Sequence, residues 1–208
     1  NMRTPIKAVV FDVYDTIAEI RDKQRPFKQL FNLIRDTHTS PPADYAKHLM
    51  SRPLDLQQAA QLFNAAISDE AWSCLNQALD RELQSIMLFA DTVPALTQLK
   101  AAGFKLGICS NLGLPYAHPI ERLLPFAMDA YGWSFAVGAI KPDPAIYHHV
   151  CNQLGLPPGQ VLMVGDTLDA DVLGPRAIGM QSIQIVRDLS QPCDEGLRSL
   201  TELVDRLQ

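Results

Sequence analysis

The sequence predicts an α/β fold in which a doubly wound parallel sheet carries an inserted all-helical segment. Residues 6–13 form a near-continuous apolar run rich in valine, the pattern of a parallel strand buried on both faces. From about residue 26 to 88, apolar residues recur at helical spacing, with no convincing strand among them. Beyond residue 90, strands alternate with helices. Repeated βα units imply a parallel sheet with helices on both faces, joined by right-handed crossovers.

Within the insert, Phe27, Leu30, Phe31 and Ile34 predict one helix, which Thr39-Ser40-Pro41-Pro42 breaks. Leu49 and Met50 belong to a second helix, and Leu62, Phe63, Ala66 and Ile67 to a third. A long amphipathic helix follows through Trp72, Leu75, Leu79, Leu83 and Ile86, with Ser68 as its cap and acidic residues in its first turn. The later series comprises a helix at 93–102 closed by Gly103, a strand at 104–109 and a short helix near 117–124. It continues with a helix at 143–154 before Gly155, a strand at 161–165, a helix at 169–178 before Gly179, and a strand at 181–186. Residues 2–17 and 89–208 are thus expected to form a Rossmann-like core, and residues 18–88 a helical cap.

At 208 residues the chain is long for one minimal domain and short for two full ones, which suits a core plus an insert. Its hydrophobic fraction of 47% and charged fraction of 20% are those of an ordinary soluble globular protein. A formal net charge of −5 with no basic cluster leaves no electrostatic footprint for nucleic acid. A small anionic substrate must then be held by local positive charge or metal, against the overall field. The four cysteines lack metal-ligand spacing and read as reduced, mostly buried thiols of a cytoplasmic protein. No apolar stretch is long enough to span a membrane, and the first strand begins without a signal-peptide pattern. Monomer and homodimer are equally compatible with the sequence.

Four polar stations stand where predicted strands end or helices begin: Asp12 with Thr16, Ser110-Asn111, Lys141-Pro142-Asp143-Pro144, and Asp166 with Asp169 and Asp171. In open α/β sheets, ligands bind beyond the carboxyl ends of the strands, so the stations are expected to converge. A carboxylate at the position of Asp12 can attack an electrophile to form an acyl intermediate; alone, it reads equally as a turn former. Thr16, Ser110 and the Asn111 amide can donate to substrate oxygens, or serve as caps and turns. Lys141 can neutralise a transferred group, or be a solvated charge. Mg²⁺ takes hard oxygen ligands, typically one or two carboxylates, and Asp12 with Asp166 would supply that pair. The same acidic loop would also favour a helix macrodipole without any metal.

Taken in order and spacing, Phe11-Asp12-Val13-Tyr14-Asp15-Thr16-Ile17, Ser110-Asn111, Lys141-Pro142-Asp143-Pro144 and Gly165-Asp166-Thr167-Leu168-Asp169-Ala170-Asp171 resemble the four motifs of the haloacid dehalogenase-like hydrolase superfamily. The helical insert lies where that superfamily carries a helical cap. The resemblance implies Asp12 as nucleophile, Asp166 and the Tyr14 carbonyl as Mg²⁺ ligands beside Asp12, and Asp171 in support of the metal. It implies Ser110 and Lys141 as binders of the phosphoryl group.

One position departs from the phosphatase pattern. Superfamily phosphatases carry an aspartate two residues after the nucleophile as general acid and base, and here that residue is Tyr14. A tyrosine, with a pKa of about 10, can protonate a leaving group but is a poor base at neutral pH. Asp15, one residue further along, could substitute only through a local change of backbone, because consecutive side chains on an extended segment point in different directions. An Asp-x-Tyr motif resembles the metal-independent 2-haloacid dehalogenases, but the aspartate-rich fourth motif resembles the metal-binding form. Arg21, Arg25, Arg35 and Arg52 offer no segment that matches a halide-binding arginine. The expected function is Mg²⁺-dependent hydrolysis of a small phosphorylated metabolite through an aspartyl-phosphate, with Tyr14 in the acid–base position. A 2-haloacid dehalogenase and a weakened ligand-binding homologue are the alternatives.

Overall fold

The computed structural model describes residues 4–37 and 44–208; the predicted break at Thr39-Ser40-Pro41-Pro42 lies outside the described residues. In chain order the elements are β1 (Ala8–Phe11), β2 (Ala18–Ile20), α1 (Pro26–Thr37), α2 (Tyr45–Ser51), α3 (Leu56–Leu62), α4 (Asp69–Gln84) and β3 (Ile86–Leu88). They continue with α5 (Thr92–Ala101), β4 (Lys105–Ser110), α6 (His118–Leu123), β5 (Ala130–Trp133), α7 (Ser134–Val137) and α8 (Pro144–Leu154). The last are β6 (Val161–Gly165), a π-helical turn at Leu168–Leu173, α9 (Gly174–Ala177), β7 (Gln181–Gln184) and α10 (Leu200–Leu207).

The main sheet runs β5-β4-β1-β6-β7, with every pairing parallel. Side chains alternate across a strand, so β1 feeds two cores. Val9 and Phe11 join Leu96 and Leu99 of α5, Ile120 of α6, and Leu203 and Val204 of α10. Ala8 and Val10 join Met163 and, from α8, Ile146, Val150 and Leu154. Helices therefore cover both faces, and the strand order places β1 at the centre, as expected of a doubly wound sheet.

Helices α1 to α4 enclose a third cluster through Leu30, Ile34, Leu49, Leu56, Ala59 and Leu75. Ser68 caps α4 by accepting from the Ala71 amide at 3.1 Å, ahead of Asp69 and Glu70. The two ends of the segment are not helical. Strands β2 and β3 pair antiparallel, with Ala18 opposite Leu88 and Ile20 opposite Ile86. Ile86 thus leaves the predicted long helix, and Ala66 and Ile67 lie beyond the end of α3. Of these residues Ile86 is buried, Ile67 is partly buried and Ala66 is exposed, so helical spacing marked apolar residues without fixing which of them face the core. The partner strand that stops α4, some sixty residues away, has no local signature. Helix α2 lies against α7, so the insert rests on the sheet domain as well as hanging from the ribbon.

Two further differences follow from short-range chemistry. Strand β5 and helix α7, four residues each, are too short for periodicity to reveal. Helix α10 carries a Ser199-x-x-Glu202 start, and the Ser199 hydroxyl accepts from the Glu202 amide at 3.3 Å. Its start signal is local, but no strand–helix alternation leads directly up to it. Gly103, Gly155 and Gly179 all have positive φ at the helix ends where closure was expected. All four cysteines are free; Cys109 and Cys151 are buried but Cys74 is exposed and Cys193 half-buried, so only half of them are core thiols. Among the described residues, no helix is long and apolar enough to cross a membrane.

Candidate active site

The predicted stations meet at the carboxyl edge of the sheet. The ladder continues past β1 through the Asp12 amide, which donates to the Val164 carbonyl at 2.9 Å, so the backbone of Asp12 is held as firmly as a strand residue. Lys141 comes from the turn before α8 and places its Nζ 3.2 Å from Asp12 Oδ1 and 2.5 Å from Asp171 Oδ1. The Lys141 side chain is 2% exposed against 13% for Asp12. The lysine is therefore a buried support, and the aspartate is the group that solvent or substrate can reach.

Side chains hydrogen-bonded to the backbone hold the second and third stations together. The Asn111 side chain accepts from the Lys141 amide at 2.7 Å and donates to the Lys141 carbonyl at 2.9 Å. The buried Ser134 hydroxyl accepts from the Leu112 amide at 3.0 Å and donates to the Leu112 carbonyl at 3.2 Å, bracing the loop after Ser110. Ser134 begins α7, an element with no sequence signal, so its bracing role was not foreseeable. Asp143 is a helix cap, its carboxylate accepting from the Ala145 amide at 2.9 Å. Ser110 is buried at the end of β4.

The fourth station departs from the regular helix expected at 169–178. A π-helical turn intervenes, of the kind often found at functional sites. Here the Asp171 amide donates to the Thr167 carbonyl at 2.8 Å, and Asp171 Oδ2 accepts from the Thr167 amide at 3.0 Å. The buried Asp171 carboxylate lies over Gly165, where a methyl group would collide with it. Glycine at the end of β6 is thus what lets this carboxylate fold back toward Lys141.

Asp12, Asp166 and Asp171 each offer a carboxylate oxygen, all within 4.8 Å of one another. Three carboxylates face one ammonium. Burial, and then the charge of Asp12, push the Asp166 carboxyl up to about 7. Burial alone would lower the Lys141 ammonium, but Asp12 and Asp171 outweigh it and hold the pKa above its ordinary value. A group of hard oxygens with excess negative charge fits a divalent cation such as Mg²⁺, which would relieve the repulsion that raises Asp166.

The remaining predicted residues behave differently. Thr16 is fully buried, and its hydroxyl has no hydrogen-bond partner among the described residues. Its carbonyl accepts from Arg187 at 2.7 Å and 3.2 Å, and Arg187 also forms a bidentate pair with Asp91. Arg187 was missed from sequence; its only signal is its position just past β7. The Tyr14 hydroxyl donates to the Tyr116 carbonyl at 2.7 Å, with the two rings edge to face at 6.3 Å. Burial, and then the charge of Glu82, push its pKa further above the ordinary tyrosine value. Tyr116 in turn donates through its own hydroxyl to Glu82 of α4, which ties the loop after Ser110 to the helical insert. Asp15 is exposed in the left-handed region at φ 64°, a conformation that aspartate tolerates better than most residues.

Two cavities flank these residues. One of about 280 Å³ is lined by Tyr14, Asp15, Ile20, Lys23, Leu112, Gly113 and Tyr116. The other, of about 490 Å³, runs past Asp15, Asp166, Gln184, Arg187 and Asp188.

A buried lysine bridging two aspartates at the carboxyl edge of a parallel sheet, beneath a helical insert, defines a hydrolase-type α/β site. The chain belongs to the haloacid dehalogenase-like hydrolases, whose family model matches residues 6–179. It is 26% identical over 207 residues to the glyceraldehyde 3-phosphate phosphatase of Methanopyrus kandleri, covering 88% of this chain and 84% of that protein. It is 27% identical over 198 residues to (S)-2-haloacid dehalogenase 1 of a Pseudomonas species, covering 88% and 86%. A crystal structure of a phosphatase of this family from Thermococcus onnurineus superposes with a TM-score of 0.67 at 26% identity, over 97% of this chain and 98% of that one.

Proposed function

We propose that this hydrolase is a Mg²⁺-dependent phosphatase of a small phosphorylated metabolite, working through an aspartyl-phosphate on Asp12. The observation that carries the reading is the acidic triad, three carboxylates within 4.8 Å opposed by the single ammonium of Lys141. A metal-independent displacement has no use for that excess charge. The metal would be held by Asp12, Asp166 and the Tyr14 carbonyl, with Asp171 in support. When bound, Mg²⁺ supplies Lewis-acid neutralisation of phosphoryl oxygens.

In this reading an Asp12 carboxylate oxygen attacks phosphorus, and the bond to the leaving oxygen breaks. Lys141 neutralises charge as the group becomes trigonal, while Ser110, Thr16 and the Asn111 amide orient its oxygens. Water then attacks phosphorus and frees Asp12. Tyr14 stands where the leaving group departs, but its proton is committed to the Tyr116 carbonyl, which makes it a weak acid and a weaker base. Residues 18–88 act as a cap that excludes bulk water over the site. Relatives named for phosphorylated metabolites support that substrate class.

Parallel assay of phosphate and chloride release, from a phosphometabolite panel and 2-chloropropionate, with Mg²⁺ and with EDTA, tests the proposal. Mg²⁺-dependent phosphate release that disappears in Asp12→Asn is the expected result. Chloride release indifferent to EDTA would replace it with the dehalogenase reading, for which Tyr14 is the supporting residue. Absence of both would favour a ligand-binding homologue.

A further inference from the structure

The segments that carry Lys141 and Asp171 are joined at a second point, by Tyr147. This tyrosine lies on α8, is fully buried, and donates from its hydroxyl to the Ala170 carbonyl at 2.5 Å. Among the described residues, that bond and the Lys141–Asp171 contact are the two hydrogen bonds that tie the Lys141 turn and α8 to the π-helical turn. Ala170 stands between Asp169 and Asp171, so whatever holds its carbonyl also holds the backbone from which the Asp171 carboxylate projects.

The register of the turn leaves that carbonyl in need of a donor. The Gly174 amide donates to the Asp169 carbonyl, five residues back. The same register would pair residue 175 with the Ala170 carbonyl, but residue 175 is a buried proline and has no N–H. An ordinary α-helical bond is not available either, because the amide four residues after Ala170 is that of Gly174, already committed to Asp169. The Tyr147 hydroxyl fills the gap, and so buried a hydroxyl needs an acceptor of its own. The approach is close: a methyl group on Gly174 would collide with the Tyr147 hydroxyl and lie 2.9 Å from both the Asp169 carbonyl oxygen and Pro142 Cβ. A phenylalanine would fill the same space, so what the hydroxyl adds is the bond.

We infer that Tyr147 is a positioning residue for the acidic triad: its hydroxyl gives Ala170 the hydrogen bond that Pro175 cannot, holds the π-helical turn in register, and so keeps the Asp171 carboxylate against Lys141. It acts through Asp171. The consequence for Mg²⁺ rests on the phosphatase reading, in which Asp171 supports the metal; the consequence for the turn does not. Partners that orient metal-binding groups from behind are worth about 10- to 100-fold in metal affinity.

The test measures the effect of Tyr147→Phe in the native chain and in a Pro175→Ala background, where residue 175 regains an N–H. Amide hydrogen exchange in EDTA follows the turn at 167–174, with β4 as internal reference. Thermal scans across a range of Mg²⁺ concentrations give the midpoint for the metal. In the native chain, Tyr147→Phe is expected to speed exchange in the turn by about five- to tenfold and to leave β4 unchanged. The Mg²⁺ midpoint should rise about tenfold. Both effects should vanish in the Pro175→Ala background. Exchange that rises equally in β4, no change in the turn, or the same effect in both backgrounds overturns the assignment. An unchanged Mg²⁺ midpoint beside a loosened turn overturns it as well, and leaves the phosphatase reading standing. A wild-type melting temperature indifferent to Mg²⁺ overturns the metal reading, and the exchange data then decide the role of Tyr147. The contrast between the turn and β4 in the native chain decides it even if Pro175→Ala fails to fold.

Discussion

Tyr14 and Asp12 are two residues apart and face different partners. Asp12 turns to Lys141, and the Tyr14 hydroxyl turns to the Tyr116 carbonyl, held there by burial on one side and the loop on the other. In the proposed phosphatase reading, this arrangement withholds the proton that an alkoxide leaving group needs. Tyr14→Asp is therefore expected to raise turnover of an alkyl phosphate by about 10²- to 10⁴-fold, with a smaller gain for para-nitrophenyl phosphate, whose leaving group needs no proton. Steady-state rates on the two substrates check this, and an unchanged alkyl rate would mean that another group already moves the proton. At this scale the four stations were legible, because their order and spacing are a property of the chain. The direction of the Tyr14 hydroxyl was not, since Tyr116 lies 102 residues away.

Among the elements, β6 and the π-helical turn after it do most to shape the acidic triad. Gly165→Ala would drive a methyl group into the Asp171 carboxylate. Overpacking of this kind costs about 1–3 kcal/mol, so the melting temperature should fall. Displacement of Asp171 from Lys141 should at the same time lower phosphate release and weaken Mg²⁺ dependence. A variant with wild-type stability and rate would show that Asp171 needs no such close approach. The long helices and buried strands were readable because each repeats its apolar pattern over enough residues. Strands β2, β3 and β5, three or four residues long, are defined by their partners, as is the point where α4 stops.

Across the whole molecule, the crowded carboxylates link folding to pH and, in the proposed metal-binding reading, to Mg²⁺. The Asp166 carboxyl is raised to about 7 in the folded protein, against an ordinary value of about 4 when unfolded. The folded state therefore binds more protons over that interval. Its contribution to stability is full below about pH 4 and is lost as pH rises through about 7. In EDTA, the melting temperature should decline between about pH 5 and about pH 8, and Asp166→Asn should flatten the decline. Mg²⁺ bound to the ionised cluster should restore more stability at the higher pH than at the lower. Thermal scans of both proteins with and without Mg²⁺ test this. A wild-type decline identical to that of Asp166→Asn would remove Asp166 as the cause.

The sequence by itself determined the alternation of strands and helices, the helical insert, and the identity of the polar stations, because each is written in local spacing and residue type. Only the tertiary structure decided which stations touch, how Lys141 is shared between Asp12 and Asp171, where the Tyr14 hydroxyl points, and that Tyr147 reaches the π-helical turn. Those depend on contacts between residues far apart in the chain, and their energies arise only when burial brings charges and hydrogen-bonding groups out of water together.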